Sequence, residues 1–127
     1  MAAPKGGYFG KMLEVDLSSG KISTRTVDEQ VYKDFIGGYG MGAHLLYKEL
    51  PPKTDPLSPQ NMLLILPGPF NGTACPSARL NLCFKSPHTG IFAHTEVGGN
   101  AGNEFKWSGW DGVIVKGKAA KPSYLVI

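Results

Sequence analysis

The sequence predicts an α+β domain built mostly from antiparallel β-sheets, with two or three short helices. Several segments alternate apolar and polar residues, as strands with one covered face do. Other segments carry apolar residues at helical spacing. The 127 residues include 17 Gly and 10 Pro, which exceeds ordinary usage and indicates many turns between short elements.

The composition is that of a globular chain long enough to bury a core as one domain. Apolar residues make up 42% of the sequence, charged residues 18%, and the formal net charge is +3. Lys and Arg are spread along the chain without a run, so no nucleic-acid partner is expected. The most apolar stretch, Met62–Pro67, is too short to span a membrane. We therefore expect a cytoplasmic protein with no membrane partner.

Cys75 and Cys83 are the two cysteines of the chain. They are too few for a disulfide framework or for an iron–sulfur cluster with four thiolate ligands. The histidines, which are His44, His88 and His94, show no metal-binding spacing with them. Reduced thiols in a cytoplasmic protein are the expectation.

The first predicted element is a β-hairpin, formed by residues 10–17 and 22–27 around a turn at 18–21. A helix follows, and its cap is either Thr26, in a capping box with Glu29, or Asp28. The helix ends at Gly37-Gly38. The apolar residues expected to face inward are Val31, Phe35 and Ile36.

A second helix is predicted over residues 41–50, ending before Pro51-Pro52, with a glycine-rich turn at 37–42 before it. A Rossmann fingerprint requires a strand ahead of its glycines, whereas a helix is predicted ahead of these, so that fold is not expected. Glycines that open a helix leave free N–H groups. The turn is therefore either an anion contact or a tight corner between two helices.

The rest of the chain predicts short elements and connections on either side of a central hairpin. A proline-rich connection at 51–61 leads to a buried strand at 62–65 and a loop at 67–76. After the hairpin, residues 100–107 predict a helix capped by Asn100, with Ala101 and Phe105 inward. Residues 112–115 and 123–127 predict the last strands. Because the chain stops inside an apolar strand, we expect residues 1–127 to be a single domain truncated from a longer chain.

The central hairpin, residues 79–97, concentrates the polar chemistry and runs into Gly98-Gly99. If residues 87–90 form its loop, two faces result. The apolar face carries Leu80, Leu82, Phe84, Ile91, Ala93, Thr95 and Val97. The polar face carries Arg79, Asn81, Cys83, Lys85, Phe92, His94 and Glu96. This polar face is either a grip for an anionic ligand or the solvated outside of an ordinary sheet, and His94 is either a proton carrier or a structural residue.

Taken in order, the motifs resemble the N-terminal domain of the tungsten-containing aldehyde:ferredoxin oxidoreductase family. The matching segments are GKMLEVDLSSGKI, FIGGYGMGAHLLYKELPPKTDPLSPQN, LPGPFNGTACP, KSPHTG and EFKWSGWDGVIVKGKAAKPSYLVI. They cover nearly all of residues 7–127. Each segment alone is weak evidence, but their order is specific.

The resemblance implies a domain of mainly two β-sheets that supports a tungsten bis-pterin cofactor (tungstopterin). The implied enzyme oxidises aldehydes to carboxylic acids and passes electrons through a [4Fe–4S] cluster, held mainly by later domains, to ferredoxin. Its implied partners are those later domains, ferredoxin or an iron–sulfur subunit, and a second copy in a homodimer. Whether the metal is tungsten or molybdenum stays open, and this chain alone is not expected to be catalytic. The alternative is a non-catalytic β-rich scaffold or protein-interaction module.

The resemblance also assigns residues. Arg79 matches an arginine between the pterin and the cluster, and Gly98 matches a glycine near the pterin. Glu96 stands where the family can have Asn, whose backbone carbonyl helps to hold a magnesium ion between the pterin phosphates. The expected cofactor-binding set is Arg79, Asn81, Lys85, Glu96, Gly98 and Gly99, with no catalytic residue among them.

Two departures from the family pattern bear on this set. The carboxylate of Glu96 would repel a phosphate unless a cation such as Lys85 offsets it. Tyr39 stands where relatives often carry Arg.

Overall fold

The computed structural model describes residues 6–126, which form nine regular elements. The strands are β1 (Lys11–Asp16), β2 (Lys21–Thr26), β3 (Met62–Pro67), β4 (Leu80–Lys85), β5 (Phe92–Val97) and β6 (Val113–Lys116), and the helices are α1 (Glu29–Phe35), α2 (Gly38–Glu49) and α3 (Ala101–Trp107). This confirms the α+β class with short helices.

All six strands join one sheet in the order β2-β1-β6-β3-β4-β5. The neighbours β1 and β6 are parallel, and every other neighbouring pair is antiparallel. The mostly antiparallel character is as predicted. The resemblance implied two sheets, whereas residues 6–126 form a single six-stranded sheet.

The helices lie on opposite faces of this sheet. Helices α1 and α2 cover one face, where the buried core consists of Met12, Tyr32, Met41, Leu45, Leu46, Met62, Leu64, Leu66, Cys83 and Ile114. Helix α3 covers part of the other face, where the buried cluster consists of Val15, Leu80, Phe105, Val113 and Val115. Both faces of the central strands β3 and β6 are therefore covered.

Helix α1 begins with the second of the two caps considered. The side chain of Asp28 accepts a hydrogen bond from the Gln30 N–H at 2.9 Å, whereas Thr26 belongs to β2. The expectation that Ile36 faces inward is wrong. Ile36 ends the helix at a φ of 62° and its side chain is 59% exposed, because the left-handed turn swings it off the helical face.

Helix α2 begins at Gly38, three residues before the predicted start at Met41. The prediction counted from the first apolar residue, whereas the glycines themselves form the first turn. Gly38 has a φ of 48°, a conformation that favours glycine, and a side chain there would meet Asn81. Among the apolar residues at helical spacing in this helix, Met41, Leu45 and Leu46 are buried, and Leu50, which follows its last turn, is partly buried.

The strand predicted at 123–127 is wrong for residues 123–126, which are in no strand; Ile127 lies outside the described residues. The physical reason is that β6 already pairs with β1 and β3, so the chain leaves a central strand without a free edge beside it. In α3, Phe105 is buried as expected. Asn100 makes no capping bond; its side chain instead donates to Glu104 Oε1 at 2.7 Å.

The register of the central hairpin is confirmed. Leu80 pairs with Val97, Leu82 with Thr95 and Phe84 with Ala93 on one face. On the other face, however, Asn81 and Cys83 are buried beneath α2. The supposedly polar face is therefore covered along β4 at Asn81 and Cys83, whereas His94 and Glu96 on β5 remain exposed. Within the described range 6–126, no helix is long and apolar enough to cross a membrane.

Candidate cofactor-binding site

The polar residues of the hairpin meet where β4 begins and β5 ends. Asn81 and Glu96 are direct cross-strand partners, Arg79 immediately precedes β4, and Gly98-Gly99 immediately follow β5. We call these five residues the polar edge. Antiparallel pairing brings them together although up to 20 positions separate them in the sequence.

Arg79 and Glu96 form an ion pair at the polar edge. The Nη1 atom of Arg79 lies 3.1 Å from Oε2 of Glu96, and the two side chains are 69% and 41% exposed. A pair this exposed adds little stability, and the guanidinium keeps further N–H donors for another partner. The charge of Glu96 is thus offset by Arg79.

Lys85 does not belong to the polar edge. It lies at the far end of β4, roughly 13 Å along the strand from Asn81 at about 3.3 Å per residue. Its ammonium group donates a hydrogen bond to the backbone oxygen of Thr54 at 2.7 Å. The structure therefore gives Lys85 a role in holding the proline-rich connection, and the expectation that it offsets Glu96 is wrong.

The Gly98-Gly99 turn faces open space. A Cβ atom built on either glycine would have no neighbour within 4 Å, and Gly99 has a φ of 72°. A backbone without side chains allows a flat ligand to approach the peptide groups directly. The open turn and the exposed guanidinium of Arg79 together leave room for a ligand at this edge.

Asn81 is the buried member of the polar edge, with 8% of its surface exposed. Its Nδ2 atom lies 2.8 Å from the position that a Cβ of Gly38 would occupy, so its amide packs against the start of α2. Its Oδ1 atom is buried and accepts no hydrogen bond from the residues that the structure describes. No pattern in the sequence indicates this contact beyond the glycines at the start of the helix.

Aromatic rings border the polar edge on the α2 side. The ring of Tyr39 meets that of His94 edge-on at 4.6 Å and that of Phe92 at 5.2 Å. Tyr39 therefore supplies an aromatic packing surface at this border. His94 is exposed and held by this contact.

Helix α3 holds the backbone immediately before Arg79 in place. The N–H of Gly102 donates to the carbonyl oxygen of Ala78 at 3.1 Å. A Cβ on Gly102 would lie 2.6 Å from that oxygen and 2.9 Å from the carbonyl oxygen of Arg79, so only glycine fits here. Asn103 Oδ1 also accepts from the Gly72 N–H at 2.9 Å, which ties the preceding loop to the helix.

A buried carboxylate that the sequence analysis missed organises the same region. Asp111 is 4% exposed and accepts hydrogen bonds from the Phe9 and Gly10 N–H groups, the Tyr32 hydroxyl and the Lys106 ammonium group. Burial, reinforced by the charge of Asp111, raises the pKa of Tyr32. Asp111 thus joins α1, α3 and the start of β1, and its full set of donors indicates a structural role.

Side chains able to bind metal do not cluster in this part of the chain. Among residues 6–126 no group of three or more His, Cys, Asp or Glu residues is placed to hold a metal ion. Both cysteines are free thiols; Cys75 is exposed, and burial raises the pKa of Cys83 to about 11. A metal at the polar edge would therefore need backbone oxygens or ligands from elsewhere.

The fold is a mixed six-stranded sheet with helices on both faces, and its polar edge is a candidate ligand-binding site. Residues 12–127 match the family described as "Aldehyde ferredoxin oxidoreductase, N-terminal domain". The chain belongs to the aldehyde ferredoxin oxidoreductase family, as the resemblance of its motifs predicted.

Three similar proteins support this assignment. The tungsten-containing aldehyde ferredoxin oxidoreductases of Thermococcus kodakarensis and Pyrococcus horikoshii are 42% and 45% identical over 122 residues. Each alignment covers 95% of this chain and 20% of the relative, so the chain spans about a fifth of their length. A solved structure, the active site complex BamBC of benzoyl coenzyme A reductase with 1,5-dienoyl-CoA, has a TM-score of 0.88 at 33% identity over 91% of this chain and 18% of that chain.

Proposed function

We propose that this chain is the cofactor-binding N-terminal module of an oxidoreductase that converts aldehydes to carboxylic acids at a tungsten bis-pterin centre. The observation that carries the proposal is the polar edge, where the exposed guanidinium of Arg79 stands beside the open Gly98-Gly99 turn. The names of the relatives, which are tungsten-containing enzymes, support the choice of cofactor.

The two-electron oxidation is the chemistry that a bound tungstopterin supplies, and this chain contributes binding and orientation. Arg79 has planar N–H donors suited to the pterin ring edge and to the electron path toward a [4Fe–4S] cluster held by later domains. Gly98 and Gly99 let the pterin lie against the backbone. The carbonyl oxygen of Glu96 is the proposed protein ligand of a magnesium ion between the pterin phosphates.

The Glu96 carboxylate is compatible with this role because Arg79 offsets its charge within the polar edge. A phosphate nearby therefore faces a neutral pair. Without Arg79, it would face an isolated carboxylate.

The later domains of the same protein are the proposed partners of the apolar surfaces that residues 6–126 leave uncovered. The sheet face opposite α2 is only partly covered by α3, and Ile22 and Val97 on it are 65% and 42% exposed. An open apolar groove of about 750 Å³ lies between α2 and the hairpin tip, bordered by Tyr39, Tyr47 and Ile91. Electron acceptors would be ferredoxin or an iron–sulfur subunit, in an anaerobic cytoplasm, and a homodimer is a further proposal.

Anaerobic purification of the full-length gene product tests the proposal. We expect tungsten or molybdenum, magnesium, iron and a releasable pterin in fixed proportion to protein. An intact protein with neither metal nor pterin would reject the cofactor role and favour the scaffold alternative. Because the structural neighbour belongs to a benzoyl coenzyme A reductase, activity should be assayed with an aromatic thioester as well as with aldehydes.

A further inference from the structure

The open groove between α2 and the tip of the β4–β5 hairpin, which we call the tip groove, has the form of a docking site. Its volume is about 750 Å³, enough to hold several side chains of a docked segment. Its walls are mostly aromatic and aliphatic, with Tyr39, His44 and Tyr47 on the α2 side and Phe84, Ile91 and Phe92 on the hairpin side.

The tip groove is already formed but uncovered. The ring of Tyr39 on α2 meets that of Phe92 on β5 edge-on at 5.2 Å, and this contact holds the two walls together. Nevertheless, Tyr47 is 93% exposed and Ile91 is 68% exposed. Contiguous apolar surface of this kind marks a contact site, whereas apolar residues scattered singly over a surface do not.

The charged side chains of the tip groove have one sign. Lys53 and Lys85 line it, and no Asp or Glu among residues 6–126 does. Lys85 donates to the backbone oxygen of Thr54, the neighbour of Lys53, so both lysines belong to the same end of the groove. Neither lysine has an ion-pair partner within that range. An apolar groove with a basic end complements an apolar partner that carries a carboxylate.

This charge favours a partner other than a second copy of the chain. A two-fold contact places the same patch on both subunits, so it would supply no acidic counterpart to the basic end. The chain spans about a fifth of the length of two tungsten-containing aldehyde ferredoxin oxidoreductases, so a protein of their length has further domains. A segment of the same polypeptide is also present at a high effective concentration.

We propose that a segment of the later domains of the same polypeptide occupies the tip groove. Its apolar side chains lie between α2 and the hairpin, and at least one carboxylate meets Lys53 and Lys85. The proposal rests on the proposed function because it requires those later domains. Lys85 is the last residue of β4, so the basic end lies away from the polar edge. The docked segment therefore leaves Arg79 open to a cofactor.

Carbodiimide crosslinking of the full-length gene product tests the charge of the partner. The reagent joins an amine to a carboxylate that touches it. We expect an amide between Lys53 or Lys85 and an Asp or Glu beyond residue 127 of the same polypeptide, located by mass spectrometry. Mixing isotope-labelled with unlabelled protein identifies links between copies, and links of that kind alone would overturn the proposal in favour of a second copy. No link at either lysine would reject an acidic partner.

Hydroxyl-radical footprinting tests whether the walls are covered. Tyr47 and Ile91 should be oxidised several-fold more slowly in the full-length protein than in the 127-residue chain, because the docked segment shields them. Equal oxidation in the two proteins would overturn the proposal. Slow oxidation in the 127-residue chain itself, lost when denaturing extraction releases a small apolar acid, would identify that molecule as the occupant and would also overturn it.

Two variants add the same charge inside and outside the tip groove. Tyr47→Asp changes its α2 wall, whereas Leu57→Asp changes a residue that is 80% exposed and does not line it. Because both side chains are exposed, the domain should stay folded in both variants. We expect Tyr47→Asp to return the oxidation of Ile91 in the full-length protein to the rate in the 127-residue chain, and Leu57→Asp to leave it slow. Equal rates in the two variants would reject the tip groove as the docking site.

Metal and pterin analysis of the same full-length protein keeps this inference separate from the proposed function. If the protein carries metal and pterin but Tyr47 and Ile91 are unprotected, the docking inference fails while the proposed function stands. If the crosslinks and the protection appear in a protein with neither metal nor pterin, the docking inference stands and the cofactor role fails.

Discussion

Arg79 and Glu96 are joined across the strand ends by a contact of 3.1 Å between Nη1 and Oε2, directly beside the pairing of Asn81 with Glu96. The pair is exposed, so its contribution to folding is small, and it lies at the polar edge that we propose for cofactor binding. Substitutions at these two positions should therefore affect function more than stability.

Arg79→Ala in the full-length protein should lower pterin and metal content, or slow electron transfer to the acceptor, while the domain stays folded. The free energy of unfolding should change by less than about 1 kcal/mol because the lost ion pair is exposed. Lys33→Ala is the matched control, since it breaks the similarly exposed pair with Glu29 on α1, away from the polar edge. Unchanged cofactor content and unchanged electron transfer in Arg79→Ala would contradict the assigned role.

The variant Glu96→Gln tests whether magnesium is bound by the backbone carbonyl oxygen of residue 96 or by its side-chain carboxylate. If magnesium is held by the carbonyl oxygen, the variant should keep one magnesium per cofactor, as measured by metal analysis of the full-length protein. Loss of magnesium with retention of pterin would show that the carboxylate itself is the ligand.

Gly42→Ala should destabilise the domain by about 1 to 3 kcal/mol, the usual effect of overpacking a core. A Cβ at Gly42 would lie 2.4 Å from Cys83 Sγ and 2.7 Å from Cys83 Cβ, between α2 and β4. Combining it with Cys83→Ala should recover part of the loss, because the second change removes the sulfur that the new methyl group meets. Urea denaturation of all three variants gives the coupling energy, and additive losses would contradict this packing.

Much of the fold could be predicted from the sequence because its strands alternate and its turns carry glycine. The hairpin register is an example: a slip by one residue would mix Leu80 and Leu82 with Asn81, and the structure adopts the predicted pairing. The failed prediction at residues 123–126 has the opposite cause. An apolar run becomes a strand only where a neighbouring strand has a free edge, and sheet order is not a local property.

The clustering of several candidate residues could be predicted for the same reason, whereas their role in binding a cofactor stays a prediction. Arg79, Asn81, Glu96 and the glycine turn follow from the pairing of two adjacent strands. Strand alternation places Lys85 on the same face as Asn81, but Lys85 lies at the other end of β4. The contact of Asn81 with Gly38 depends on where α2 packs on the sheet, and a local sequence pattern does not predict how two distant elements pack.

The thiol of Cys83 should resist alkylation and should make the stability of the domain pH-dependent. Burial raises its pKa from about 9 to about 11. As the pH rises through this window, the unfolded chain loses the proton that the folded chain keeps, so the free energy of unfolding falls. Cys83→Ala should show a shallower fall over this range, and iodoacetamide should modify one thiol, Cys75, in the native chain. Rapid modification of both thiols without denaturant would contradict the burial of Cys83.

The Asp111 cluster should dominate the stability of the domain. Lys106 and Asp111 have side chains that are 6% and 2% exposed, so removing either leaves a buried charge without its partner. Lys106→Met should lower the free energy of unfolding by about 3 to 5 kcal/mol. Asp111→Ala should lower the free energy of unfolding further, because the Tyr32 hydroxyl and the Phe9 and Gly10 N–H groups also lose their acceptor.

Tyr32→Phe is the graded control for this cluster, since it removes only one hydrogen bond to the carboxylate. Its expected loss is about 1 to 2 kcal/mol, the range for a hydrogen bond to a charged acceptor. Urea denaturation of the four proteins should therefore rank wild type, Tyr32→Phe, Lys106→Met and Asp111→Ala in falling stability. A Lys106→Met variant as stable as Tyr32→Phe would show that the carboxylate is held by its N–H donors, and that the buried ammonium group contributes little to joining α3 to the sheet.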